Sequence, residues 1–213
     1  MLKVVFASAG GAVYGEQQVL PVPEDHPQYP VSPYGVSKLA CERYLVYNVQ
    51  FGLPYIALRY TNVYGPRQDP HGEVGVVAIF CGNLARGKTS TINGDEEQTR
   101  DYVYVKDVAR ANVLALENYV PSAGTYNLGT GVETSVNRLY ELLLEISAKD
   151  LPPHHGPSKP GEQLRSCVDP GRTHLRLARA NRHPHRPSLA GEPVAEYSSY
   201  VRRPGSPQKC LFR

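Results

Sequence analysis

Ser32-Pro33-Tyr34-Gly35-Val36-Ser37-Lys38 is the stretch on which both the fold and the chemistry turn. Tyr34 and Lys38 stand four residues apart, at the head of a segment that reads as a helix to about Val49. Cys41, Tyr44, Leu45 and Val49 recur at three- and four-residue intervals, so the spacing predicts them on its buried face. Four residues of helix rise about 6 Å and turn a little past one revolution, so phenol and ammonium point the same way. A phenol of pKa about 10 is a poor base near neutrality. Lowering that value by about 3 units takes roughly 4 kcal/mol of preference for the phenolate. A neighbouring ammonium, joined by a cationic cofactor ring if one binds, acts in that direction. The pair is a candidate proton shuttle for a hydroxyl. The competing reading is two polar residues on a solvated helix face, and the flanking sequence decides between them.

Upstream, Val4-Val5-Phe6-Ala7-Ser8-Ala9-Gly10-Gly11-Ala12-Val13-Tyr14-Gly15 is an apolar run entering a glycine-rich turn. Downstream come Leu58-Arg59-Tyr60-Thr61-Asn62-Val63-Tyr64-Gly65-Pro66-Arg67 and Thr99-Arg100-Asp101-Tyr102-Val103-Tyr104-Val105-Lys106-Asp107. In this order and spacing, from about Leu2 to Asp169, the motifs resemble the NAD-dependent epimerase/dehydratase family, the extended short-chain dehydrogenases acting on nucleotide sugars. The resemblance implies the carboxyl-side part of a doubly wound, Rossmann-type parallel α/β sheet over residues 1–170, with a small substrate-binding α/β subdomain interleaved. It also implies NAD as cofactor, a UDP-hexose as substrate, and inversion at C4 in the manner of UDP-glucose and UDP-galactose, through hydride transfer to NAD and a 4-keto sugar. A homodimer is the family's usual assembly.

By the same resemblance, Tyr34 is the acid/base, and Lys38 holds the nicotinamide ribose while favouring the phenolate. The family's third participant is a hydroxyl in a turn of the form Ser-Thr-Gly-Gly-Ala-Ile-Tyr-Gly. Here that turn is Ser8-Ala9-Gly10-Gly11-Ala12-Val13-Tyr14-Gly15, so Ala9 replaces the Thr, and Ser8 is the neighbouring hydroxyl that can stand in if the turn shifts. Ser8 is therefore carried as a catalytic and cofactor-side candidate with Tyr34 and Lys38. Asn62 matches an asparagine that contacts the UDP diphosphate or sugar, Arg100 an arginine that pairs with the diphosphate, and a guanidinium fork suits phosphate oxygens. Lys159 and Glu162, in Ser158-Lys159-Pro160-Gly161-Glu162, match a turn that meets phosphate and the uridine ribose. Lys159 keeps the charge of the family's arginine but not its bidentate geometry.

The remaining sequence narrows the alternatives. A chain of 213 residues, 41% hydrophobic and 20% charged, has the composition of a soluble globular protein. No apolar run is long enough for a membrane span. Cys41, Cys81, Cys167 and Cys210 are scattered, the pattern of reduced thiols in a cytoplasmic protein, and the seven histidines form no ligand-spaced cluster, so no metal is expected.

Residues 3–8 are predicted as a fully buried strand, further strands at 54–60, 91–92, 102–105 and 126–128, and helices at 74–85, 107–118 and from Thr134 or Ser135 to Ser147. Strand–helix–strand alternation implies a parallel sheet with ligands outside its carboxyl ends, where Ser8 and Asn62 fall. Residues 171–213 hold nine Lys/Arg, two Asp/Glu and five prolines with no sustained periodicity. They read as a disordered or aberrant basic tail rather than an arm for nucleic acid. No Gly-x-x-Gly-x-x-Gly turn follows a strand and opens a helix, so the chain reads as the back two-thirds of such an enzyme. Gly10-Gly11 also places no carboxylate where a dehydratase needs one, which favours simple epimerisation. A different class of answer is a non-catalytic remnant that only binds nucleotide sugar.

Overall fold

The computed structural model describes residues 3–69, 75–94, 98–117, 123–158 and 163–170. Lys159, Glu162 and the basic tail lie outside these.

Three strands form the central sheet: β1 (Val4–Ala9), β2 (Tyr55–Tyr60) and β7 (Ala123–Leu128), in the order β1-β2-β7. Both pairings are parallel and in step, with Ala9 opposite Tyr60 and Tyr60 opposite Leu128, so the three carboxyl ends lie level. Between β1 and β2 run α1 (Gly10–Tyr14) and α2 (Pro33–Asn48). After β2 follow β3 (Asn62–Tyr64), α3 (Val76–Ala85), β4 (Thr91–Asn93), β5 (Thr99–Arg100), β6 (Tyr102–Tyr104) and α4 (Val105–Leu116). Beyond β7 come β8 (Thr134–Ser135), α5 (Val136–Ser147), β9 (His154–Gly156) and β10 (Arg165–Ser166). The Ser135 hydroxyl accepts the Arg138 N–H at 3.1 Å, capping α5 where the sequence places its start.

Strand alternation separates the two faces of the sheet. Ile56 and Leu58 pack with Val108, Ala111 and Ala115 of α4. Arg59, pointing the other way, meets Glu42 of α2. A second apolar cluster joins α3 and α5 through Phe80, Leu84, Leu139, Tyr140 and Leu143, with Tyr64, Tyr102 and Tyr104 of β3 and β6. This is the smaller α/β unit beside the main sheet.

Two expectations are corrected. The strand at residues 3–8 was expected to be fully buried, but Val4, Val5 and Phe6 are half-buried and Ala7 is exposed. The reason is position: among the described residues β1 is the edge of its sheet and pairs only with β2. The helix at 34–49 exists, but its inward stripe is Gly35, Lys38, Leu39, Glu42 and Leu45, whereas Cys41, Tyr44 and Val49 face outward. The helical period was legible and its phase was not, because the group that anchors the inward face is a carboxylate.

Candidate active site

The site begins where β1 ends. Ala9 caps α1 with extended backbone (φ −131°), and α1 turns immediately across the end of the sheet. Gly10 is closely packed, since a Cβ there would sit 3.1 Å from the Arg59 carbonyl oxygen. At Gly11 a Cβ would sit 2.6 Å from the Ser166 hydroxyl oxygen. Both glycines let α1 lie between the carboxyl ends of β1 and β2 on one side and β10 on the other.

Tyr34 and Lys38 come from the first two turns of α2. The Ser32 hydroxyl accepts the Gly35 N–H at 3.1 Å, and Pro33 opens the helix with no N–H to lose. Gly35 presses on α1, where an added Cβ would lie 2.3 Å from the Ala12 carbonyl oxygen. The Lys38 ammonium donates to the Ala7 carbonyl at 2.9 Å and lies 5.5 Å from the centre of the Tyr34 ring and 5.2 Å from that of Phe6. The shared helix face is therefore as the spacing predicts. The electrostatics differ, since Tyr34 is 56% exposed yet desolvation pushes its phenol above the ordinary value. The ammonium stands by the ring and is bound to a carbonyl, whereas an ammonium at the hydroxyl would favour phenolate.

Ser8 faces into the protein. It is 3% exposed, and its hydroxyl donates to Glu42 Oε1 at 2.5 Å. Glu42 accepts two further hydrogen bonds from Arg59, Nε to Oε1 at 3.0 Å and Nη2 to Oε2 at 2.7 Å. Arg59 Nη1 donates to the Tyr14 hydroxyl at 2.7 Å, which donates to Asn127 Oδ1 at 2.7 Å. Burial opposes the Arg59 charge most strongly, but the hydrogen bonds and charge interactions with Glu42 and Tyr14 together outweigh it and raise its pKa. Burial also pushes the Tyr14 phenol up, although Arg59 acts against it. Ser8, α2, β2 and β7 are thus tied by one buried polar network. Sequence reasoning missed Glu42, Arg59, Tyr14 and Asn127. The available signal was charge where burial was expected, with Glu42 four residues past Lys38 and Arg59 inside Tyr-Ile-Ala-Leu-Arg-Tyr.

Asn62 and Arg100 meet through Asp101. The Asn62 N–H donates to the Asp101 carbonyl at 2.9 Å, and Asn62 is level with Tyr102 in the β3–β6 pair. Arg100 Nη1 donates to the carbonyls of Thr99 (2.8 Å) and Leu164 (3.1 Å), and Arg100 is level with Ser166 of β10. Since Ser166 abuts Gly11, and Ala12 abuts Gly35, an unbroken series of contacts leads from the Tyr34 helix across α1 to the Arg100 strand. The Asp101 carboxylate is fully buried and accepts from the Thr130 and Gly131 N–H groups and the Thr130 hydroxyl. Desolvation raises its pKa against those bonds, and the carboxylate fixes the loop after β7 beside Asn62.

A parallel α/β sheet with a Tyr–Lys helix and a glycine turn at its carboxyl ends defines a short-chain-dehydrogenase type of site. Residues 1–129 match the model of the NAD dependent epimerase/dehydratase family, and the chain belongs to that family. The UDP-glucose 4-epimerase of Mycolicibacterium smegmatis is 46% identical over 171 residues, covering 78% of this chain and 53% of that protein. The crystal structure of the Thermotoga maritima UDP-glucose 4-epimerase with UDP-glucose superposes with TM-score 0.84 at 44% identity, over 94% of this chain and 63% of that one. A UDP-glucuronic acid 4-epimerase from Bacillus cereus, solved with UDP-glucuronic acid and NAD, gives TM-score 0.77 at 33% identity, over 93% of this chain and 61% of that one. The chain spans about half the length of the curated relatives it matches.

Proposed function

We propose that this chain serves NAD-dependent 4-epimerisation of a UDP-hexose, with UDP-glucose and UDP-galactose as the pair. The observation that carries this reading is the Tyr34–Lys38 pair leaning over the carboxyl end of β1, with Asn62 and Arg100 reached across α1. Its residues fit the nicotinamide end of NAD: Lys38 offers an ammonium one residue from Ser8, and Tyr34 is open to a ligand. When bound, NAD supplies a hydride acceptor and donor for C4 of the sugar.

The chain's own part is to bind, orient and move a proton. Tyr34 takes the C4 hydroxyl proton on its phenol oxygen and later returns it. Desolvation holds that phenol above its ordinary value, and a cation brought close to its hydroxyl would favour the phenolate. Asn62 and Arg100 hold the diphosphate, with Lys159 and Glu162 proposed at the phosphate and uridine ribose. A cytoplasmic homodimer is the setting proposed for this activity.

One observation favours a second reading, nucleotide-sugar binding without turnover. Ala9 has no hydroxyl, and the Ser8 proton is already given to Glu42. The two readings separate in an assay of UDP-galactose conversion to UDP-glucose with NAD present, run beside calorimetric titration with UDP. Turnover that falls by about 10²-fold or more in Tyr34→Phe supports the epimerase. UDP binding without turnover supports the binding module, and turnover unchanged by Tyr34→Phe removes the acid/base assignment.

A further inference from the structure

We propose that Glu42 is a positioning residue for Tyr34 and Lys38, acting through its buried ion pair with Arg59 and the hydrogen bond it accepts from Ser8. The proposal rests on the reading of Tyr34 and Lys38 as the acid/base pair.

Tyr34, Lys38 and Glu42 follow one another at four-residue steps, so they form one stripe along α2. Of the helix's sixteen residues only Gly35 and Glu42 are buried, and Leu39 alone lends a half-buried side chain to the apolar cluster of Val13, Tyr14, Val22 and Val168. An apolar contact this thin does little to fix the helix's roll and slide. Glu42 fixes both by direction: its two oxygens accept the Arg59 fork at 3.0 and 2.7 Å and the Ser8 hydroxyl at 2.5 Å. Bidentate guanidinium–carboxylate pairing fixes orientation as well as distance. Arg59 is in turn fixed by the parallel pairing of β2 on both sides and by its bond to Tyr14. Ser8 adjoins Ala7, whose carbonyl receives Lys38, so the pin and the Lys38 bond act on adjacent residues of β1.

A buried ion pair is poor evidence for stability, since well-packed apolar residues in its place are often as stable or more so. Its attested use is to specify one arrangement among several. Here the arrangement specified is where α2 sits on the end of the sheet, and with it where the phenol and ammonium stand.

The test separates position from stability. The full chain is prepared with ¹³C-dimethylated lysines, the Lys38 signal being assigned by Lys38→Arg. In the wild-type protein that signal is expected to carry the ring-current shift of Phe6 and Tyr34 and an NOE to the Tyr34 ring. Two variants are compared by urea unfolding and by this signal: Glu42→Gln, and Glu42→Met with Arg59→Met. The double variant is expected to unfold near the wild-type midpoint while its Lys38 signal moves to that of exposed lysines and loses the NOE. Glu42→Gln is expected to lose the same shift with a lowered midpoint. Glu133→Gln, which breaks the pair with Arg165 and touches neither Glu42 nor Arg59, is expected to leave the Lys38 signal in place. A folded variant with the Lys38 signal unmoved overturns the proposal. Loss of folding in both variants overturns it too, since the pair would then serve the fold as a whole. The signal is read without nucleotide or cofactor, so failure here and failure of the epimerase reading are distinct results.

Discussion

Gly35→Ala is the most informative single change, because structure and helix propensity pull in opposite directions. Alanine is favoured over glycine inside a helix by about 1 kcal/mol, so propensity alone predicts stabilisation. The added Cβ would lie 2.3 Å from the Ala12 carbonyl oxygen and 2.9 Å from Pro30 Cβ, where ordinary contact starts at 3.4 Å. The first of these atoms is backbone, so relief requires α2 to back away from α1 by about 1 Å at its first turn. Overpacking of this kind costs about 1–3 kcal/mol, so the net loss is about 0–2 kcal/mol. The site feels the change more strongly. Tyr34 precedes Gly35 directly and Lys38 follows one turn later, and a misplacement of about 1 Å can cost on the order of 10²-fold in rate. The expected result is a modest fall in urea midpoint with a loss of turnover of that size. Val36→Ala, an exposed neighbour in the same turn, is expected to change neither by much. A Gly35→Ala protein with wild-type midpoint and wild-type turnover would show that the α1–α2 contact is soft and that the reasoning fails.

The remaining consequences are shorter. Arg59→Met alone leaves the Glu42 carboxylate buried without its counter-ion, which costs about 3–5 kcal/mol and is read from the urea midpoint. Glu133 accepts from Arg165 at 2.5 Å, and that bond holds its carboxyl below the ordinary carboxylate value. The linked stability is therefore present above the unfolded pKa of about 4.3 and is lost as pH falls through the folded value. The difference in melting temperature between wild type and Glu133→Gln is expected to be full near neutrality and to close on acidification. Because Arg165 is exposed, added salt is expected to shrink it as well.

The legible parts of this protein are those with long-range periodicity or a special residue. Strands expected at 3–8 and 54–60 are found at Val4–Ala9 and Tyr55–Tyr60, and they pair parallel. Ser135 caps α5, and the helices at 76–85 and 105–116 start within two residues of their expected places. The two- and three-residue strands β3, β5, β8, β9 and β10 carry no periodicity of their own. They exist because distant segments pair, as Arg165–Ser166 does with Thr99–Arg100. The glycine-rich turn expected after β1 is the short helix α1, whose Gly10 and Gly11 lie close against Arg59 and Ser166. The inward face of α2 was misplaced for the opposite reason. Apolar periodicity marks buried faces only when burial is apolar, and here the buried anchor is Glu42, with Tyr44 left 71% exposed.

Ala9→Thr tests the turn at its weakest point, and the structure adds a consequence the sequence did not suggest. Ala9 occupies the N-cap of α1 in extended backbone, and no side chain there accepts from the helix. A threonine at an N-cap accepts an N–H from the second or third helical residue, here Gly11 or Ala12, and this stabilises by about 0.5–2 kcal/mol over alanine. Accepting in that way occupies a lone pair and leaves the hydroxyl proton free to donate outward. The same substitution therefore steadies α1 and supplies the donor that Ser8, committed to Glu42, does not offer. One transition-state hydrogen bond of this type is worth on the order of 10²-fold in rate. The expected outcome is a raised urea midpoint together with turnover raised by about that factor, while UDP affinity, proposed to rest on Asn62 and Arg100, stays unchanged. A lowered midpoint would mean that the site, where Ala9 is only 8% exposed, is too tight for the extra atoms. A raised midpoint with no gain in rate would mean that the cap forms but the hydroxyl points away from the sugar, and the assignment of the missing donor to position 9 would fall.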